Sequence, residues 1–171
     1  MTRYRPTVVE IDLDAIGHNV RLLRPSDAEL MAVVKADGYG HGDAAVARAA
    51  LEAGATRLGV SLVEEGLSLR ERGIAAPILV LTEFPAGSEK DALEGGLTPS
   101  VYSGEGLAGV ADAARAVGRP AGVHLKLDTG MHRVGLWPPE EGPAFGRRIL
   151  DAGLRVEGVW THFADSELDA E

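Results

Sequence analysis

The sequence predicts an α/β fold of the (β/α)8 TIM-barrel type, truncated to about six βα units. Short apolar runs alternate with helix-spaced segments almost throughout, the pattern of a parallel sheet wrapped by helices. The runs are apolar on both faces, as strands covered on both sides must be. The alternative, a doubly wound dinucleotide-binding sheet, fails at its fingerprint. Gly38, Gly40 and Gly42 are spaced loosely like it, but Asp43 stands where the third glycine should fall. A complete eight-unit barrel takes about 250 residues. The 171 residues here run out soon after the sixth apolar run, so an incomplete barrel is expected.

The expected strands are Leu30–Lys35, Arg57–Ser61, Pro77–Thr82, Leu97–Tyr102, Gly122–Asp128 and Arg155–His162. Ahead of them, Asp12 is placed to cap a helix with Leu13, Ile16, Val20 and Leu23 facing inward. A helix from about Asp43 carries Val46, Ala50 and Leu51 and stops at Gly54; another carries Val63, Leu67 and Leu69 and stops near Gly73. Leu107, Val110, Ala111, Ala114 and Val117 share one face up to Gly118, and Phe145, Ile149 and Ala152 precede Gly153. Thr7–Ile11 reads as a separate strand-like piece with no pairing partner later in the sequence.

Composition narrows the function. Lys plus Arg total 17 against 26 for Asp plus Glu, a net charge of −9, which argues against binding to nucleic acid or to an anionic membrane. An anionic ligand must then be held by a local cluster of cations. The absence of cysteine excludes disulfides, thiolate metal sites and a cysteine nucleophile. The histidines show no metal-ligand spacing, so no metal site is expected. No stretch reads as a signal peptide or membrane span, and a cytoplasmic protein is the expectation.

Barrel active sites lie at the C-terminal ends of strands, and alternation sorts those ends into two faces. Lys35 closes the run Leu30–Lys35 and enters the glycine-rich turn Ala36-Asp37-Gly38-Tyr39-Gly40-His41-Gly42. A lysine taken partly from water is neutral more often and can attack an aldehyde to form a Schiff base. The plainer reading is a snorkelling lysine before an ordinary turn. On the fifth strand His124, Lys126 and Asp128 share a face; on the sixth, His162 shares a face with Trp160. Lys35, Lys126 and His162 can therefore point into one cavity, with Arg133 on the following loop as a bidentate clamp for carboxylate or phosphate. Alternatively, Lys126 pairs with Asp128, Arg133 is a solvated charge, His162 and His124 are core histidines, and Tyr39 is a turn tyrosine.

The stretch Val33–Gly42 resembles the pyridoxal-phosphate attachment motif of alanine racemases. His124–Gly135 is similar to that family's second signature, and Trp160-Thr161-His162-Phe163-Ala164 to its third, in the same order. The resemblance implies that pyridoxal 5'-phosphate is held by Lys35 as a covalent aldimine, and that Lys35 is one of two bases interconverting L-alanine and D-alanine at Cα for peptidoglycan. It implies that Tyr39 hydrogen-bonds the phosphate and that Arg133 lies beside cofactor and substrate carboxylate. Lys126, carbamylated in many members, would orient Arg133, and His162 would support the cofactor.

On the same resemblance, residues 1–13 are an N-terminal strand segment that pairs with a C-terminal β domain, and 14–171 are an incomplete pyridoxal-phosphate-binding barrel. That β domain and the opposing base, a tyrosine from the other subunit of a homodimer, are absent from this sequence, so the chain alone is expected to be inactive. The competing readings are a non-catalytic pyridoxal-phosphate-binding barrel and a serine or broad-specificity amino-acid racemase.

Overall fold

The computed structural model describes residues 7–165. Helix α1 (Leu13–Leu23) starts where the Asp12 carboxylate accepts a hydrogen bond from Ala15 N–H at 2.9 Å, the cap expected from the sequence. Then come β1 (Met31–Val33), a one-turn element α2 (Lys35–Tyr39), α3 (Asp43–Glu52), β2 (Arg57–Val60), α4 (Val63–Glu71) and β3 (Ile78–Val80). The chain continues through α5 (Glu89–Glu94), β4 (Leu97–Val101), α6 (Gly104–Val117), β5 (Gly122–Leu127), a 3-10 turn at Pro139–Glu141, α7 (Gly142–Asp151) and β6 (Arg155–Thr161).

All six strands are parallel and lie in the order β1-β2-β3-β4-β5-β6. A doubly wound sheet reverses its order at a switch point; here each strand lies beside its neighbour in sequence, as in a barrel wall. Among the described residues β1 and β6 are the edges, so the wall is an open arc, as the truncated barrel required.

The outward faces of the strands and the inward faces of the helices form one core. Leu58, Val60, Ile78, Val80, Val101 and Val123 are fully buried there against Leu69, Val110 and Ile149 from the helices. The opposite face of β5 carries His124 and Lys126 into the hollow of the arc, in the alternation read from the sequence.

Some expectations are corrected: Leu13 and Leu23 of α1, expected to face inward, are exposed. Thr7–Ile11 forms no strand: residues 7–12 have no regular structure, and Val9 is 84% exposed, because nothing in the described chain offers them a ladder. The remainder of the 1–13 strand segment, residues 1–6, lies outside the described residues. Helix α5 was not anticipated; six residues burying only Ala92 and Leu93 are too short to show a helical period.

Ile78 is fully buried at the centre of the core. Ile78→Ala should cost about 2–5 kcal/mol, read as a lowered midpoint in urea with an unchanged slope.

Candidate active site

The site begins where β1 ends. Val34, 1% exposed, is anchored in the core and donates its N–H to Gly59 O at 2.9 Å. Lys35 does not close the strand, as the sequence suggested; it opens α2. The next four residues are left-handed, with φ of +51° at Ala36, +55° at Asp37, +61° at Gly38 and +57° at Tyr39. For residues with a Cβ this conformation costs on the order of 1–2 kcal/mol each, so the turn must be held from outside.

Hydrogen bonds from within and from neighbouring elements hold it. Gly40 N–H donates to Ala36 O at 3.0 Å, and Gly42 N–H to Asp37 O at 2.8 Å. The Asp37 carboxylate accepts from Asp43 N–H at 3.0 Å, tying the turn to the start of α3. Glu65 Oε1, from α4, accepts from Ala36 N–H at 2.7 Å. Gly38 is pressed against α3, where a Cβ would sit 3.1 Å from Val46 and 3.3 Å from the Asp43 backbone. The Lys35 ammonium lies 5.9 Å from the centre of the Tyr39 ring, which is 60% exposed.

Lys126 lies across the hollow on β5, in register with Trp160 of β6. Its ammonium sits 4.3 Å above the Trp160 ring and donates to Leu81 O at 3.3 Å, while the side chain is almost wholly buried. The pairing with Asp128 raised by the sequence does not form. Burial lowers the Lys126 pKa most and the charge of Arg133 lowers it next; Asp128 opposes them, and Lys35 adds the smallest lowering. Trp160 is fixed in turn by Nε1–H donating to the buried Ser100 Oγ at 3.3 Å, and Ser100 donates to Val80 O at 2.7 Å.

The Asp128 carboxylate is occupied by its own loop. Its Oδ1 accepts from Gly130 N–H at 3.0 Å and from His132 N–H at 2.9 Å, and these bonds, that from His132 first, hold its pKa below the usual carboxylate range. The loop then returns to the strand: Leu136 N–H donates to Lys126 O at 2.9 Å, and Asp128 N–H to Leu136 O at 3.0 Å. Pinned at both ends, it presents Arg133 to the hollow, and among the described residues the guanidinium has no hydrogen-bond partner. Its donors are therefore left for a ligand.

Lys35, Tyr39, Lys126, Arg133 and His162 all line one cleft of about 360 Å³ at the C-terminal ends of the strands. Val33, Ser61, Leu81, Thr82, Val134 and Trp160 complete it. The lining holds three cations and no carboxylate. Sequence reasoning missed Ser61, Thr82 and the supporting Glu65. Glu65 had a faint signal, a glutamate at the third position of a helix, where it accepts from Leu62 N–H at 3.0 Å.

Fold and site together define an open (β/α)-barrel domain whose cleft is lined by three cationic side chains and no carboxylate. The chain belongs to the alanine racemase N-terminal domain family, whose model matches residues 11–171. It is 51% identical to the alanine racemase of Symbiobacterium thermophilum over 167 residues, covering 95% of this chain and 44% of that protein. Among solved structures, alanine racemase from Streptomyces coelicolor A3(2) superposes with a TM-score of 0.81 at 45% identity, over 90% of this chain and 43% of the other. Alanine racemase from Bartonella henselae, solved with covalently bound pyridoxal phosphate, gives a TM-score of 0.81 at 26% identity, over 91% of this chain and 46% of its own. The chain thus spans less than half the length of these relatives.

At Gly135, φ is +144° and a Cβ would fall 2.7 Å from Asp128 N and 2.8 Å from Leu127 C. Gly135→Ala must displace the Arg133 loop and should cost about 1–3 kcal/mol in thermal unfolding. The Asp128 loop sets an acid limit. Because the folded pKa lies below the unfolded one, its stabilisation is complete above the ordinary carboxylate range, about pH 4, and disappears as pH falls through the lower folded value. The stability gap between the wild type and Asp128→Asn, measured by urea unfolding, should therefore close on acidification from about pH 6 to pH 2.

Proposed function

We propose that this chain is the cofactor-bearing barrel portion of a pyridoxal-phosphate-dependent amino-acid racemase, the whole protein interconverting L-alanine and D-alanine. The cleft carries the reading: the lysine of the glycine-rich turn, two further cations, Tyr39 and His162 surround one space free of carboxylates. A phosphorylated aldehyde suits that donor set. Its phosphate is anionic and its carbonyl reacts with an amine, and both needs are supplied within this lining.

In this reading Lys35 holds pyridoxal 5'-phosphate through Nζ, and the exposed Tyr39 hydroxyl donates to the phosphate. The cofactor, when bound, acidifies the substrate Cα–H by drawing electron density into its ring. Lys35 then removes or returns the Cα proton on its own face, and the arginine at position 133 pairs with the substrate carboxylate. His162, at the end of β6, supports the polar surroundings of the cofactor. Racemisation needs a second acid/base on the opposite face. That group comes from outside this lining, consistent with relatives more than twice as long and with a whole protein that works as a homodimer.

Lys126 has a distinct part. Burial lowers its pKa and so makes the neutral amine easier to reach from the ammonium; that amine can add to carbon dioxide, losing a proton and leaving a carbamate. The product is an anion facing Arg133, an orienting partner in place of a repelling one.

Incubation of the chain with pyridoxal phosphate followed by borohydride should place the reduced pyridoxyl group on the peptide containing Lys35. Lys35→Ala should lose both that label and the visible absorbance of the bound cofactor. Absorbance that survives in Lys35→Ala would sink the assignment. Firm cofactor capture without racemisation, even with the rest of the relatives' length supplied, would favour a non-catalytic carrier.

A further inference from the structure

We propose that Glu65 is the positioning residue for Lys35, holding the left-handed turn in the one orientation that directs the amine into the cleft. The role builds on the reading of Lys35 as the cofactor-bearing amine and adds a residue to it. A run of four left-handed residues is costly despite the hydrogen bonds within it, and its first backbone donor lies immediately after Lys35. Glu65 Oε1 takes that donor, Ala36 N–H, at 2.7 Å. The other oxygen, Oε2, accepts from Ser61 N–H at 2.8 Å and Leu62 N–H at 3.0 Å, just beyond the end of β2.

One carboxylate therefore bridges the ends of two adjacent strands, with the reactive amine on one side and Ser61, part of the cleft lining, on the other. The bonds are charge-assisted and directional, so they constrain the backbone on both sides of the bridge. An amide in the same place has one acceptor oxygen. Its NH2 would meet an N–H head on, and one arm of the bridge must open.

The chain carries its own control and its own reference. Glu83 makes a similar bridge elsewhere on the rim, accepting from Tyr102 N–H and Ser103 N–H at 2.7 Å each and from Ser103 Oγ at 2.8 Å, without touching the Lys35 turn. The lysines are Lys35, Lys90 and Lys126, and Lys90 is an exposed helix lysine 3.7 Å from Glu94.

The experiment compares wild type, Glu65→Gln and Glu83→Gln. Each is treated with pyridoxal phosphate and borohydride, and the initial rate of labelling at Lys35 relative to Lys90 is read by peptide mass spectrometry. Circular dichroism confirms that each variant is folded. Hydrogen exchange of the segment 34–42 is followed in parallel without cofactor. Glu65→Gln should lower the Lys35-to-Lys90 ratio by about tenfold or more and speed exchange in 34–42, whereas Glu83→Gln should change neither. A wild-type ratio retained in folded Glu65→Gln, or exchange in 34–42 unchanged by it, overturns the proposal. An equal fall in Glu83→Gln does so as well, since the effect would then be general loosening. If wild type itself labels Lys90 but not Lys35, the cofactor reading fails, and the positioning role fails with it.

Discussion

The rim of the open barrel depends on side chains that satisfy backbone groups between adjacent strand ends. Parallel strands finish with loops whose N–H and C=O groups have left the ladder and still require partners. Glu65 bridges the ends of β1 and β2, and Thr82 Oγ1 donates across to Ser61 O at 2.7 Å, from the end of β3 to that of β2. Glu83 and Ser100 join β3 to β4. Thr161 Oγ1 donates to Leu127 O at 2.9 Å, joining β6 to β5. Each such bond contributes about 1 kcal/mol net, more where a carboxylate takes part. Their greater effect is geometric: Lys35, Ser61 and Thr82 of the lining stand beside strand ends tied to a neighbour in this way.

The same belt explains how an acidic chain keeps a cationic cleft. With a net charge of −9, carboxylates near the strand ends are unavoidable, and three of them, Glu65, Glu83 and Asp128, sit there. Each is engaged by two or three donors of the neighbouring loops. Their charges are answered by the backbone, which leaves Lys35, Lys126 and Arg133 as the charged groups that face the space between the loops. The cationic character of this cleft is a property of local arrangement, and bulk charge gives no hint of it.

The strands were legible because a buried parallel sheet writes its face alternation into adjacent residues. From Gly122 to Leu127 that alternation alone put His124 and Lys126 on one face; the register of Lys126 with Trp160 is set by the pairing of β5 with β6, bulge included. The loops were legible only as residue types. Arg133 and Tyr39 were found, but the path of the backbone carrying them was not. The left-handed turn could not be read, because Ala36 and Asp37 have no intrinsic preference for positive φ. What meets them is distant in sequence: Glu65, 29 residues further along, accepts from Ala36 N–H, and Gly38 packs against α3. At Thr7–Ile11 the failure ran the other way. Val8, Val9 and Ile11 have the character of a strand, and character without an adjacent ladder makes no strand.

The two lysines of the cleft are consequently held by different physics. Lys126 belongs to the ladder: its backbone is paired on β5, its stem is packed, and its ammonium rests on Trp160, so its state is governed by burial and by the charges around it. Lys35 stands outside the ladder at the start of a left-handed turn, partly exposed, and the residues that follow it are hydrogen-bonded in place. An amine that must bond to a ligand, release it and move a proton needs freedom at Nζ and a fixed backbone, which a clamped turn provides. An amine whose task is to fix a neighbouring charge needs the opposite, a side chain locked along its length. On the proposed roles each lysine stands in a fitting setting, Lys35 on a clamped turn with a partly exposed side chain and Lys126 packed along a paired strand.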